Sequence, residues 1–170
     1  MSAGSQRPDR MGDVLNGEAG PSGKWHKRPR MLVRSLLYIS DSALMLPDDE
    51  WQVDAIVDVA RSRNAALGVT GALMFAHTNF VQVLEGSQAA LDELMASIRR
   101  DRRHHDVRVL EEERLTCRRF PGWAMAYVGP AALVEARLSP LLKTRGAGVD
   151  PFATQDMIAL LRSFISLGEG

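Results

Sequence analysis

The chain has 170 residues, 45% hydrophobic and 25% charged, with 21 basic and 21 acidic side chains and a formal net charge of zero. That balance suits one globular domain with an appendage and gives no electrostatic case for nucleic-acid or anionic-membrane partners. No apolar run approaches the ~20 residues that span a bilayer, and no apolar signal segment opens the chain. The single cysteine, Cys117, excludes an intrachain disulfide and argues against a thiolate metal cluster, so a cytoplasmic protein is expected.

Residues 1–30 are rich in Gly, Ser, Pro and charge and are expected to be a disordered tail. The basic end "KWHKRPR" reads as a solvated tail, with electrostatic docking as the alternative. Met11 and Met31 are alternative starts. "MLVRSLLYIS", 31–40, is mostly apolar and predicts a first strand. After "LPDD", Trp51, Val53, Ile56, Val57 and Ala60 follow the i, i+3, i+4, i+7 rule. A helix is therefore expected from about Asp48 to Ala65, with Gly68 as its C-cap exit. "GVTGALMFA" and "FVQVLEG" predict two strands joined through His77-Thr78-Asn79, where Asn79 tolerates left-handed geometry. Ser87 predicts the N-cap of a second helix, whose stripe is Leu91, Leu94, Met95 and Ile98 and whose end falls near "RRDRRHHD". "VRVLEEERLTCRRF" predicts a fourth strand with exposed charged alternation. Pro121-Gly122 predict a turn, and "WAMAYV" a short fifth strand.

The order β-α-β-β-α-β-β predicts an α+β, ferredoxin-like sheet with both helices on one face. The organisation expected is a tail at 1–30, a domain at 31–130 and a helical extension at 131–170. In the extension, "AALVEARLSPLL" is amphipathic, "KTRGAGVD" is a linker, and Asp150 with Pro151 opens a last helix carrying Met157, Ile158, Leu161, Phe164 and Ile165. Those helices either cover the second sheet face or pair with another subunit.

Three polar residues stand where apolar ones belong. Asn64 falls on the apolar face of the first helix. Gln82 shares a strand face with Phe80 and Leu84, and Tyr38 shares one with Leu36. Alone, each has an ordinary reading: a cap, an edge position, a buried phenol on a backbone acceptor. Together they aim three hydrogen-bonding groups at one core, which suits a polar planar ligand.

The spacing of "LLYIS", "RNAALGVTGALMF", "FVQVLEG", "IRRDRRH" and "RRFPGWAM" resembles the BLUF family, sensors of blue light using FAD, over residues 31–128. The resemblance implies a flavin held between the two helices. It implies that Asn64 and Gln82 hydrogen-bond its polar edge and that Tyr38 reaches Gln82. Arg103 is then expected at the O2 edge or ribityl chain, with Asp101 and His104 in the same motif. Arg63 takes a position where family members stack a side chain on the ring, and Ile56, Val57, Leu67 and Met95 line the walls. The resemblance further implies a photocycle in which Tyr38 gives an electron and proton and Gln82 rearranges. Trp123 and Met125, two apart and expected on one strand face, respond. Cys117 lies outside any cysteinyl-flavin motif and reads as a small strand residue. The cofactor implied is FAD; no separate adenine-binding signature distinguishes it from FMN.

The expected output is not enzymatic: no cyclase, phosphodiesterase, kinase or helix-turn-helix segment is legible after residue 130. Partners expected are the flavin, a second copy of the chain and a separate downstream protein, without nucleic acid or membrane. Two rival readings are a ferredoxin-like hydrolase of acylphosphatase type and an RNA-binding module. The first lacks a glycine-rich anion loop and an evident nucleophile. The second needs exposed strand aromatics, and the chain has only 5 Phe and 2 Tyr.

Overall fold

Local signals set the element ends. In the computed structural model the Ser87 hydroxyl accepts the Ala90 N–H at 3.3 Å and opens a helix. Gly68, at φ +64, closes another in the left-handed cap that glycine adopts without a Cβ penalty. The Asp150 carboxylate accepts the Phe152 N–H at 2.9 Å ahead of a third. The structure describes residues 32–45, 47–76, 78–128, 138–142 and 149–167; the expected tail, His77, the linker at 143–148 and most of the helix expected from 131 lie outside them.

The elements run β1 (Val33–Ser42), α1 (Glu50–Leu67), β2 (Thr70–Ala76), β3 (Asn79–Gly86), α2 (Gln88–Ile98), β4 (His104–Leu115), β5 (Ala126–Val128) and α3 (Pro151–Leu167). The sheet order is β4-β1-β3-β2-β5. All pairings are antiparallel except β2 with β5. This is the ferredoxin-like α+β plan. Alternation along each strand splits the apolar residues between two cores. Leu36, Tyr38, Leu73, Phe75, Phe80 and Leu84 face α1 and α2. Leu37, Ile39, Met74, Val81 and Val83 face the other way, under Met157, Ile158 and Leu161 of α3 and Leu138 and Leu141 of a short helical turn. β3 is buried along its whole length, so Gln82 sits on a central strand and not at an edge.

Several expectations need correcting. Trp51 is 67% exposed: it stands in the first turn of α1, ahead of the face that Val53, Ile56 and Val57 bury. Asn79 is no turn residue. It begins β3 opposite Asp41 and Ala76, and its amide donates to the Asp41 carboxylate at 3.1 Å. β4 starts earlier, at His104, and stops at Leu115.

The largest correction concerns Trp123 and Met125. The last strand begins only at Ala126. The carbonyls before it are taken by other groups: Trp123 O by the Gly71 N–H at 2.9 Å, Ala124 O by the Asn64 amide at 2.8 Å, and Met125 O by Arg61 Nε at 3.3 Å. Strand alternation therefore does not apply there. Met125 packs in the core under α1 and α2, whereas Trp123 packs against the core under α3.

Gly71 is fixed by close approach. A Cβ there would stand 2.0 Å from the Val83 carbonyl oxygen, a backbone atom that cannot step aside. Gly71→Ala is expected to destabilise the fold by about 3 kcal/mol or more. Thermal unfolding would check this, since an unchanged midpoint is incompatible with that contact.

Candidate functional site

A cleft opens between α1 and α2 above the sheet. One face of α1 supplies Ile56, Val59, Ala60, Arg63 and Asn64; α2 supplies Leu94, Ser97 and Ile98. Tyr38, Leu73, Gln82 and Leu84 form the sheet side, and Asp101, Arg103 and His104 close one end. All seven residues expected to bind a ligand thus line one cavity. Val57, Leu67 and Met95 do not line it; Val57 and Met95 are buried core, and Leu67 packs against that core. Trp123 and Met125 are not lining residues either, although Met125 touches one.

The sheet register builds the centre of the site. Tyr38 and Gln82 are direct partners across β1 and β3, so their side chains share a face. The Tyr38 O–H donates to Gln82 Oε1, and Gln82 Nε2 donates to the Met125 thioether at 3.3 Å. Tyr38 is 0% exposed, and burial, reinforced by the Asp101 charge, pushes its pKa far above that of an ordinary phenol. The phenol therefore remains a proton-bearing donor at neutral pH. Its partner is asymmetric: one end of the amide meets a strong hydroxyl donor, the other a weak sulfur acceptor. A hydroxyl can also accept, so Tyr38 can pair with either end of the amide, and turning Gln82 over gives up chiefly the weak bond to sulfur.

The closing end is ionic. Arg103 grips Asp101 through Nε at 3.0 Å and Nη2 at 2.6 Å. That hydrogen-bonded pairing holds the Asp101 carboxyl below its ordinary pKa, despite partial burial. Next to them His104 lies on Phe80, with ring centroids 4.3 Å apart, and its Nδ1 is 2.8 Å from the Ser40 hydroxyl. Burial pushes the His104 pKa down to about 4, with Asp101 only partly opposing. The unfolded chain takes up this proton below about pH 6.5 and the folded chain only near pH 4. Stability is therefore lost as pH falls through that window, by up to about 3 kcal/mol from this group. Denaturant titrations at pH 7 and pH 4.5, compared with His104→Asn, should show a smaller acid loss in the variant; equal losses would contradict it.

At the mouth, Arg63 reaches from α1 to α2, donating to the Ser97 hydroxyl at 2.6 Å and the Glu93 carboxylate at 3.0 Å. The cavity enclosed by these side chains is about 90 Å³. A flat three-ring heterocycle is larger, so the rim must yield to admit one. Arg63 at the mouth, 37% exposed, is a long side chain with rotamer freedom to do so. The rest suits such a ring without change: aliphatic walls on both helices and amide, phenol and imidazole groups along the sheet side. Sequence reading missed Arg61, Ser40 and Ser97. Ser97 carries a usable signal, since it lies one turn beyond Leu94 on the α2 stripe.

Residues 33–126 match the model of the BLUF family, described as sensors of blue-light using FAD. The photoactivated adenylate cyclase beta subunit of Euglena longa is 36% identical over 92 residues, 54% of this chain and 10% of that one. The chain thus spans about a tenth of that relative's length. BlrB, a BLUF protein solved in its dark state, is 31% identical with a TM-score of 0.64, covering 78% of this chain and 96% of BlrB. A bacterial light-regulated adenylyl cyclase is 30% identical with a TM-score of 0.55, over 75% of this chain and 35% of that one.

Proposed function

The chain belongs to the BLUF family of flavin-binding blue-light sensors, and from that premise we propose that it is a photoreceptor holding FAD non-covalently in the cleft between α1 and α2. The observation that carries the reading is the hydrogen-bond chain from Tyr38 to Gln82 to Met125 at that cleft. Asn64, Gln82 and Arg103 would hold the polar edge of the ring, with Asp101 fixing Arg103 and Arg63 closing over the top. Bound flavin supplies blue-light absorption and, once excited, a strong one-electron oxidant.

Tyr38 would give up the electron and, through its hydrogen bond, the proton, and would take both back as Gln82 rearranges, so that no net oxidation remains. Its burial keeps water from competing for that proton. Gln82 receives the hydrogen bond and rearranges by rotation, tautomerisation or both. Once the amide no longer donates to Met125, the 123–125 segment loses one of its four holds: the backbone bond from Gly71 stays, as do those from Asn64 and Arg61. A change of this kind shifts a segment between two packings. Output then passes into β5 and α3 and from there to a second copy of the chain or a separate partner protein. Cyclase activity belongs to the longer relatives; in this proposal the chain signals without catalysis of its own, in the cytoplasm.

Purified protein should be yellow and release one flavin per chain on denaturation. Chromatography of the released cofactor separates FAD, the expected species, from FMN. A colourless protein that takes up neither would end the proposal.

A further inference from the structure

One arginine lies among three carboxylates on the sheet face away from the cleft. Ser35 of β1 pairs with Glu85 of β3 on one side and Glu113 of β4 on the other, and the neighbouring Leu37 pairs with Glu111. Directly paired residues share a face, so these three acids share the face that α3 covers. Glu85 is 0% exposed and accepts the backbone N–H groups of Arg119, at 2.9 Å, and Phe120, at 3.1 Å. Burial raises its pKa, opposed by those two N–H bonds and by the charges of Arg119 and Arg118. The Arg119 guanidinium continues past Glu85 to the Glu113 carboxylate. Glu111 in turn accepts from the Thr154 hydroxyl and, at 2.6 Å, from the Gln155 amide, both in the first turns of α3. Burial pushes the Glu111 carboxyl up, the Thr154 bond pulls it back, Glu113 raises it again and Arg119 opposes that rise.

We propose that Arg119 is a positioning residue that couples the segment leading to Met125 with the docking of α3, by neutralising Glu113 beside Glu111, the carboxylate that holds the first turns of the helix. The proposal rests on the photoreceptor reading and gives it a specific route. Arg118 ties its end of the segment down, donating to Gly68 O at 2.7 Å and Thr70 Oγ1 at 2.9 Å. Met125, at the other end, is held partly by Gln82. A shift of the 123–125 end therefore pulls on the stretch that follows the Arg118 anchor, and the Arg119 side chain is the part of that stretch that reaches toward the acids under α3. When Arg119 moves from Glu113, two like charges are left beside α3, and the contacts to Thr154 and Gln155 weaken. β5 provides a backbone route to α3; Arg119 provides a second one through charge.

Hydrogen–deuterium exchange over residues 151–165, on the full flavin-loaded chain in darkness and under blue light, tests this. In the wild type, exchange there should rise in light. Arg119→Ala should keep its flavin and red shift, exchange about tenfold faster in darkness than wild type, and change no further in light. Arg119→Lys should restore most of the protection. Arg119→Ala combined with Glu113→Gln removes the like-charge pair and should recover dark protection without the light response. Glu113→Gln alone leaves the Glu85 clasp intact and guards against a folding defect in Arg119→Ala; it should abolish the light response of α3. Wild-type dark protection in Arg119→Ala, no recovery in the double variant, or a full light response in Glu113→Gln would each overturn the coupling. A wild type that binds flavin but shows no red shift would refute the photoreceptor reading instead, and the dark-state comparison would still decide the role of Arg119.

Discussion

Tyr38→Phe should bind flavin in normal stoichiometry, keep the fold, and show no reversible red shift in blue light. The ring volume is retained in a fully buried site, so packing survives. What disappears is the single O–H that Gln82 Oε1 accepts. Leaving that oxygen unpartnered costs about 1–3 kcal/mol of stability, which a domain of this size tolerates. The photochemical loss should be complete, because phenylalanine offers neither a phenolic proton nor an easily removed electron. Difference spectra in light minus darkness, with flavin content measured in the same sample, check both halves. A normal red shift in this variant would remove Tyr38 from the mechanism.

Gln82→Leu carries the second large effect. Leucine suits the strand face that Gln82 shares with Phe80 and Leu84, so β3 should remain in place. The substitution strands the Tyr38 hydroxyl and removes the donor to the Met125 sulfur. The dark flavin spectrum should shift and the photocycle should be lost, since the amide that reports on the ring is gone. An unaltered dark spectrum with a normal cycle would show that Gln82 does not lie against the ring. The two variants also test each other. Each alone leaves one buried polar group without its partner, whereas Tyr38→Phe with Gln82→Leu removes both. The double variant should therefore be less destabilised than the sum of the singles, by about 1 kcal/mol.

Much of this was legible in the sequence, for definable reasons. Ser87, Gly68 and Asp150-Pro151 are local signals whose physics involves only neighbouring residues, and they end the elements where expected. Tyr38, Asn64 and Gln82 could be singled out because each breaks an apolar period, and a period is visible without a structure. The partnering of Tyr38 with Gln82 was less accessible. It depends on the register of β1 against β3, which a sequence does not state. The shared strand face expected for Trp123 and Met125 fails for a related reason. "WAMAYV" has the alternation of a strand, but Gly71, Asn64 and Arg61 claim the carbonyls that a strand would need, and all three are distant in sequence. The Glu85–Arg119 clasp was hidden in the same way: "LEG" and "RRF" lie more than thirty positions apart and meet only because β3 and the segment after β4 end at the same side of the sheet.

The photoreceptor role of this chain is tested most directly by one absorbance spectrum of the purified protein in darkness and another after blue light. An oxidised flavin spectrum is expected that moves slightly to the red on illumination and returns in darkness, with no loss of the flavin band such as a covalent adduct would cause. A protein that binds no flavin, or one whose bound flavin spectrum is unmoved by blue light, would contradict it.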